Sequence, residues 1–150
     1  MFKNKKGFTL IELLVVIAII GLLSTLAVVA LTSARQKARD SKRVADMKQL
    51  QTAMEMVFSE QASYAVAGCS APGAVNVCTG LPLSTYLPNI ATMKDPSNPV
   101  ALCTPTSADK CNYAFTVTPD GTTYKVNFFL ETKTGDLDKG IREVTPNGLK

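Results

Sequence analysis

The sequence predicts an α+β protein in which one long amino-terminal helix packs on a small antiparallel β-sheet. A long apolar run begins at Phe8, apolar residues then recur at helical spacing, and an alternating pattern begins after Asn112. The first proline is Pro72, and Gly21 is the only glycine in residues 8–64. Because that span lacks a strong helix breaker, it can form one continuous helix.

The first part of this helix, residues 8–31, is long enough to span a membrane. It holds 24 residues, of which only Glu12 is charged. As a helix it would be about 36 Å long, against a hydrocarbon core of roughly 30 Å. Three lysines in residues 1–7 predict that this leader stays in the cytoplasm and that the carboxyl terminus lies outside.

Two simpler interpretations of the apolar run are open at this point. A secretory signal could be cleaved near Ala27 and Ala30, although such signals usually have an apolar core of only about 7–15 residues. A plain membrane anchor fits the length but leaves Glu12 unexplained, because a carboxylate among apolar residues costs free energy unless it has a partner. Cleavage after Gly7 would supply such a partner, the new amine of Phe8.

Residues 5–21, KKGFTLIELLVVIAIIG, closely resemble the cleavage motif and helix start of type IV pilins and type II secretion pseudopilins. They combine a short basic leader, glycine before the cut, phenylalanine after it, and glutamate at the fifth position beyond it. The resemblance implies that a prepilin peptidase cuts between Gly7 and Phe8, and that Phe8 becomes an N-methylated terminus. It also implies that Glu12 neutralises a terminal amine in the growing filament and so sets subunit register.

The resemblance is detailed over residues 5–64 and architectural beyond, where it implies the ladle-like fold of type IV pilins. It implies a structural subunit that an inner-membrane assembly platform polymerises with copies of itself into an extracellular or periplasmic filament. Before assembly, the subunit would be a single-pass protein of the inner membrane. We expect a subunit of a type IV pilus that serves adhesion, motility or DNA uptake. Nucleic acid would be a partner only if the pilus takes up DNA, and then only indirectly. The alternatives are a pseudopilin of a type II secretion system and a minor tip pilin that acts as a binding module.

Residues 32–64 are predicted to be the amphipathic second part of the helix. Their apolar stripe, which should pack on the sheet, consists of Val44, Met47, Leu50, Met54, Val57 and Phe58. Five basic residues from Arg35 to Arg43 are interpreted as a band at the membrane exit or a solvated helix face. A stripe for nucleic acid or anionic lipid is a third interpretation, but no aromatic residue lies among them to stack on a base.

Residues 65–150 are predicted to form a head outside the membrane. Six of the eight prolines lie in residues 68–105, which predicts an extended surface loop. Alternating apolar residues then predict two strands and a turn at residues 119–121, and a weaker pattern predicts a third strand near residues 141–145. The alternating residues are Tyr113, Phe115 and Val117 in the first strand and Tyr124, Val126, Phe128 and Leu130 in the second.

The head holds all four cysteines, Cys69, Cys78, Cys103 and Cys111, and disulfides persist outside the membrane. Four cysteines allow three pairings, among which the sequence does not choose strictly. We favour Cys69 with Cys78 and Cys103 with Cys111, because each pair closes a loop of about ten residues, worth roughly 2.5–3 kcal/mol in the chain-entropy model. A zinc site is the alternative, but neither a CxxC spacing nor a histidine supports it.

Asp136 and Asp138 lie in a glycine-bounded loop, residues 135–140, and are a candidate calcium site if backbone carbonyls add ligands. Major pseudopilins resemble this in using a carboxyl-terminal loop for calcium. A solvated turn is the favoured alternative, since Lys139 adjoins the pair and a full calcium-loop pattern is missing. Residues 94–99, KDPSNP, resemble a degraded form of the pseudopilin stretch DPWGNP, which favours a pilus over a pseudopilus. We expect no other cofactor.

Composition argues against an enzyme and against a basic nucleic-acid-binding domain. The chain has no histidine, which removes histidine-based triads. It also lacks a phosphate-binding glycine loop, a dinucleotide fingerprint and a Gly-x-Ser-x-Gly elbow. The formal charge of +4 comes from 16 basic and 12 acidic residues, and three of the bases lie in the leader. The excess is therefore mostly a signal for topology and processing.

Overall fold

The structure of the chain, a computed structural model, describes residues 7–66, 69–80 and 82–150. The α+β prediction is confirmed: a long helix, α1 (Leu10–Gln61), packs against a five-stranded antiparallel sheet. The chain divides into two units, with the boundary between Arg35 and Gln36. The further elements are β1 (Gly73–Ala74), α2 (Leu83–Tyr86), β2 (Ala114–Val117), β3 (Lys125–Leu130), β4 (Gly140–Thr145) and β5 (Gly148–Leu149).

The first unit consists of the start of the described chain and the first part of α1. Every residue from 7 to 35 is exposed in the isolated chain, including the whole aliphatic run. Within the described residues, α1 is the one helix that is long and apolar enough to cross a membrane, judged by length and composition. An apolar surface of this length is not stable in water, so it requires a lipid or protein environment.

Helix α1 is shorter at both ends than the predicted span of residues 8–64. It begins at Leu10 because Thr9 caps it, as described below. At the other end, Ala62 has a φ of 52° and its N–H donates to the carbonyl of Phe58 at 2.8 Å. A left-handed residue that bonds back to the last turn is a common way to end a helix.

The second unit is the head, in which the sheet is a meander with strands in the order β1-β2-β3-β4-β5. Side chains from β3 and from residues 47–57 of α1 form one core cluster. The opposite face of the sheet is covered near Phe129, which packs with Cys103, Cys111 and Ala114 in a second cluster. Strand β3 is therefore buried on both of its faces. Its alternating apolar residues predicted that only one face would be buried.

Three details of the predicted core are wrong, and the first is Phe58, which belongs to the predicted apolar stripe of α1 but is 36 % exposed. The described residues of the segment 68–105 do not form a surface loop, because Val75, Leu83 and Ile90 are buried in the main cluster. A sheet this small leaves one side of α1 open, and this segment closes it. Val117 is exposed despite its place in the alternating pattern, because the register shifts between Phe115 and Val117 and such an irregularity turns the next side chain to the other face.

Arg43 lies at the centre of a buried ionic cluster that joins α1 to the rest of the head. Its side chain is 0 % exposed and all five of its N–H groups have acceptors. Nε and Nη2 donate to the two oxygens of Asp95 at 2.6 and 2.9 Å, and Nη2 also donates to Ser97 Oγ at 2.8 Å. Nη1 donates to Asp40 Oδ1 at 2.7 Å and to Glu131 Oε1 at 2.9 Å. A buried charge is tolerated when its hydrogen bonds are satisfied in this way.

The carboxylates of this cluster have further donors. Asp40 accepts the backbone N–H groups of Glu131 at 3.0 Å and Thr132 at 2.8 Å. Arg39 donates to both oxygens of Glu131, at 2.6 and 2.7 Å. The side chains of Arg39 and Arg43 thus pair with carboxylates of the head. The interpretation of residues 35–43 as a band at the membrane exit or a solvated helix face is therefore wrong for these two residues. We call Arg39, Asp40, Arg43, Asp95 and Glu131 the Arg43 cluster.

The Arg43 cluster predicts that the head loses stability in acid. Hydrogen bonds from Arg39, and then from Arg43, lower the pKa of Glu131 from 4.5 to about 2, although burial opposes them. Because the folded state holds the lower pKa, the ionised carboxylate stabilises the head above about pH 4.5, and this stabilisation disappears as the pH falls towards 2. We expect the urea midpoint of the detergent-solubilised chain to fall across this window, and to fall less in Glu131→Gln. An equal fall in both proteins would contradict the assignment.

Candidate functional site

The bond that the sequence predicts to be cleaved lies just outside α1. Gly7, Phe8 and Thr9 have irregular backbone, and Phe8 is 92 % exposed. A Cβ added to Gly7 would have no atom of the described residues within 4 Å, so the described part of the fold does not require glycine there. If glycine is needed before the cut, the requirement comes from the enzyme that cuts the chain.

Thr9 and Glu12 form a capping box at the start of α1. Thr9 N–H and Thr9 Oγ1 both donate to Glu12 Oε2 at 2.7 Å, and Glu12 N–H donates to Thr9 Oγ1 at 3.3 Å. This reciprocal pattern satisfies two backbone donors that a helix start leaves open. Sequence reasoning missed Thr9, although the spacing Ser/Thr-x-x-Glu before an apolar run is a known signature of this motif.

The capping box gives Glu12 a partner within its own chain before any other chain is present. A carboxylate at a helix amino terminus is also favoured by the helix dipole. Both hydrogen bonds from Thr9 use Oε2, so Oε1 can still accept a bond from another donor without loss of the cap. The surroundings are apolar, since Ile11 and Val15 lie beside Glu12 in an open recess. A cation that reached Oε1 there would form a strong, charge-assisted hydrogen bond.

The four cysteines form two disulfides, Cys69–Cys78 and Cys103–Cys111. Their Cα atoms lie 4.7 and 4.8 Å apart, within the range that a disulfide spans. The first pair closes the loop that contains β1, and the second holds a loop against the sheet beside Phe129. No cysteine is free, so the thiols serve structure and are not available as nucleophiles.

Asp136 and Asp138 lie in the exposed loop before β4, where Gly135 has a φ of 60°. Asp138 makes an exposed ion pair with Lys133 at 3.2 Å. Within the described residues, no group of three or more acidic, cysteine or histidine side chains is placed to hold a metal. A calcium ion would therefore depend on backbone carbonyls for most of its ligands, and calcium binding stays a prediction.

Comparison with known proteins shows similarity to a prokaryotic methylation motif and to proteins of type IV pili and type II secretion systems. Residues 2–28 match the family model of the prokaryotic N-terminal methylation motif. The chain is 38% identical over 61 residues to the type IV major pilin protein PilA of Myxococcus xanthus, which is 41% of this chain and 28% of that protein. It is 34% identical over 80 residues to the type II secretion system core protein G of Aeromonas hydrophila, covering 53% and 56%. It is 42% identical over 62 residues to the type IV wide pilus major component PilA4 of Thermus thermophilus, covering 41% and 47%.

These matches confirm the resemblance to type IV pilins and type II secretion pseudopilins that residues 5–21 predict. The chain spans between about a quarter and just over half of the length of these three relatives. No solved structure matches the chain. The family model matches only residues 2–28, so the head is described from its own residues.

Proposed function

We propose that the chain is a pilin-type structural subunit that polymerises through the apolar part of α1 into a filament. The observation that carries this proposal is an exposed aliphatic helix whose first part lies within the match to a methylation motif, residues 2–28. A membrane can cover this helix before assembly, and copies of the same helix can cover it afterwards. The relatives named as pilins and as a secretion core protein support a structural role, so catalysis is not part of the proposal.

The proposed path begins in the inner membrane, with residues 1–7 on the cytoplasmic side and the head outside. The lysines of the leader support this orientation, and so do the two disulfides, because such bonds persist in oxidising compartments. A prepilin peptidase cleaves after Gly7, Phe8 is methylated, and an inner-membrane platform adds the subunit to the filament. Glu12 then accepts the amine of a neighbouring subunit.

A type IV pilus is the filament that we favour. The stretch at residues 94–99 that resembles a pseudopilin motif lacks the tryptophan and glycine of that motif. Both carboxylate oxygens of its Asp95 accept hydrogen bonds from Arg43. The match to a secretion core protein over 80 residues makes a type II secretion pseudopilus the second candidate. Filaments on the cell surface would favour the pilus, whereas loss of secreted proteins on deletion of the gene would favour the pseudopilus.

The mass of the mature chain tests the proposal. We expect it to lack residues 1–7, to carry one added methyl group on Phe8, and to be four hydrogens lighter than the reduced form because of two disulfides. Gly7→Leu is the matched control, since a Cβ there has no described atom within 4 Å. That variant should stay unprocessed in the membrane with a folded head. A native chain that retains residues 1–7 beside an active peptidase would refute the proposal.

A further inference from the structure

The peptide bond that joins Gly7 to Phe8 lies just outside the hydrogen-bonded part of α1. In a helix, each N–H donates to the carbonyl four residues earlier. Neither the Gly7 carbonyl nor the Phe8 carbonyl accepts a backbone hydrogen bond from a described residue, and the first carbonyl that does is that of Thr9, which accepts Leu13 N–H at 3.3 Å. The bond that we expect to be cleaved therefore lies in irregular backbone.

The Thr9 hydroxyl stops α1 from extending towards the amino terminus. Glu12 N–H is the donor that a longer helix would direct to the Phe8 carbonyl, and it donates instead to Thr9 Oγ1 at 3.3 Å. Thr9 N–H and Thr9 Oγ1 both donate to Glu12 Oε2 at 2.7 Å, which fixes the hydroxyl at the start of the helix. The hydroxyl thus competes with the Phe8 carbonyl for one backbone donor.

Without this hydroxyl, α1 can begin two residues earlier, at Phe8. Glycine caps a helix about as well as threonine does, so Gly7 becomes the next N-cap. The Gly7 carbonyl then accepts Ile11 N–H, and the peptide bond after Gly7 becomes part of the first helical turn. Proteolysis favours exposed backbone that is not held by hydrogen bonds. A helix of this kind would have to unwind before the bond could be cut.

We propose that Thr9 is a positioning residue for the cleavage between Gly7 and Phe8. This inference rests on the proposed function, which supplies the peptidase. In the reaction, the oxygen of a water molecule bonds to the Gly7 carbonyl carbon and the C–N bond breaks. The Phe8 nitrogen takes a proton from that water and leaves as an amine. By binding Glu12 N–H, Thr9 keeps the reacting carbonyl and the leaving nitrogen in irregular backbone that the peptidase can bind.

Cleavage rates of Thr9 variants test this role. The detergent-solubilised full chain is incubated with a purified prepilin peptidase, and kcat/KM is measured from the loss of residues 1–7 by mass. Thr9→Val keeps the shape of the side chain but removes the hydroxyl, whereas Thr9→Asn changes the shape but keeps an N-cap. We expect kcat/KM to fall about fivefold in Thr9→Val and Thr9→Ala. It should stay within about twofold of the native value in Thr9→Asn and Thr9→Ser. Cleavage still runs to completion in every variant, so the end-point mass is unchanged.

Thr25→Val is the matched control, because Thr25 lies in the same helix but its hydroxyl donates to the Leu22 carbonyl at 2.8 Å and caps no helix end. This variant should be cleaved at the native rate. A second measurement is the carbon-13 shift of Phe8 Cα in the uncleaved chain, which should move towards its helical value in Thr9→Val but not in Thr9→Asn.

A native rate in Thr9→Val would overturn the positioning role. Equal losses in Thr9→Val and Thr9→Asn would overturn it as well, because they would show that the peptidase contacts the threonine side chain itself. Both results leave the proposed function intact, since the native chain is still cleaved after Gly7. A native chain that an active peptidase does not cut would refute the proposed function, and this inference with it.

Discussion

Replacing Arg43 with alanine should lower the free energy of unfolding of the head by about 3–5 kcal/mol, the usual cost of removing one partner from a buried ion pair. Asp95 would lose both of its charged hydrogen bonds, and Asp40 and Glu131 would each lose one. Three carboxylates would then be left with two nearby cations, Arg39 and Lys110, and both of these pair with Glu131. This loss is a large fraction of the total, since the free energy of unfolding of a small domain is roughly 5–15 kcal/mol.

The measurement is the urea midpoint of the detergent-solubilised full chain, followed by the near-ultraviolet signal of its four tyrosines because the chain has no tryptophan. Arg39→Ala is the matched control. Its side chain is 29 % exposed and, among the described carboxylates, it pairs with Glu131 alone, so we expect a loss of about 1 kcal/mol. Arg43→Lys keeps the charge but not the five-donor fork, and should fall between the two. Equal losses from Arg43→Ala and Arg39→Ala would show that the cluster does not anchor α1.

The fold class was predictable because its signals are local. The buried stripe of α1 and the alternation in β2 and β3 report which side of an element meets the core, and Met47, Leu50, Val126 and Phe128 are fully buried as these patterns predict. The start of α1 was predictable in principle as well, since Thr9 and Glu12 carry the spacing of a capping box. These features depend on residues that are close in sequence.

The Arg43 cluster could not be predicted from the sequence. Hydropathy places arginine and aspartate outside, and the partners of Arg43 lie 52 and 88 residues away, at Asp95 and Glu131. Only the folded chain brings these charges together. The same reason explains residues 68–105, whose prolines indicate irregular backbone but do not reveal that Val75 and Ile90 fill the core. Irregular structure and burial are independent properties, and the sequence pattern reports the first.

For the amino-terminal site, we expect Glu12→Ala to reduce filament yield by more than about 100-fold while leaving membrane insertion intact. In the proposed filament, Glu12 Oε1 accepts the amine of a neighbouring Phe8 in apolar surroundings. Removing the carboxylate leaves that amine charged and unpaired, which costs about 3–5 kcal/mol for each contact, and every 1.4 kcal/mol is about tenfold in association. Insertion should persist because the aliphatic run is unchanged and loses its one charge. Sheared filaments and membrane-bound subunit are quantified from the same cells.

Thr9→Ala separates the two roles that the geometry gives to Glu12. It removes the hydroxyl of the capping box, at a cost of about 1 kcal/mol, but keeps the carboxylate that would meet the amine. If Glu12 acts across subunits, Thr9→Ala should lower the yield by no more than about fivefold, with normal processing by mass. If Thr9→Ala instead lowers the filament yield as much as Glu12→Ala does, the carboxylate of Glu12 acts by capping the start of its own helix. In that case register between subunits must come from the apolar surfaces of α1 and from contacts between heads.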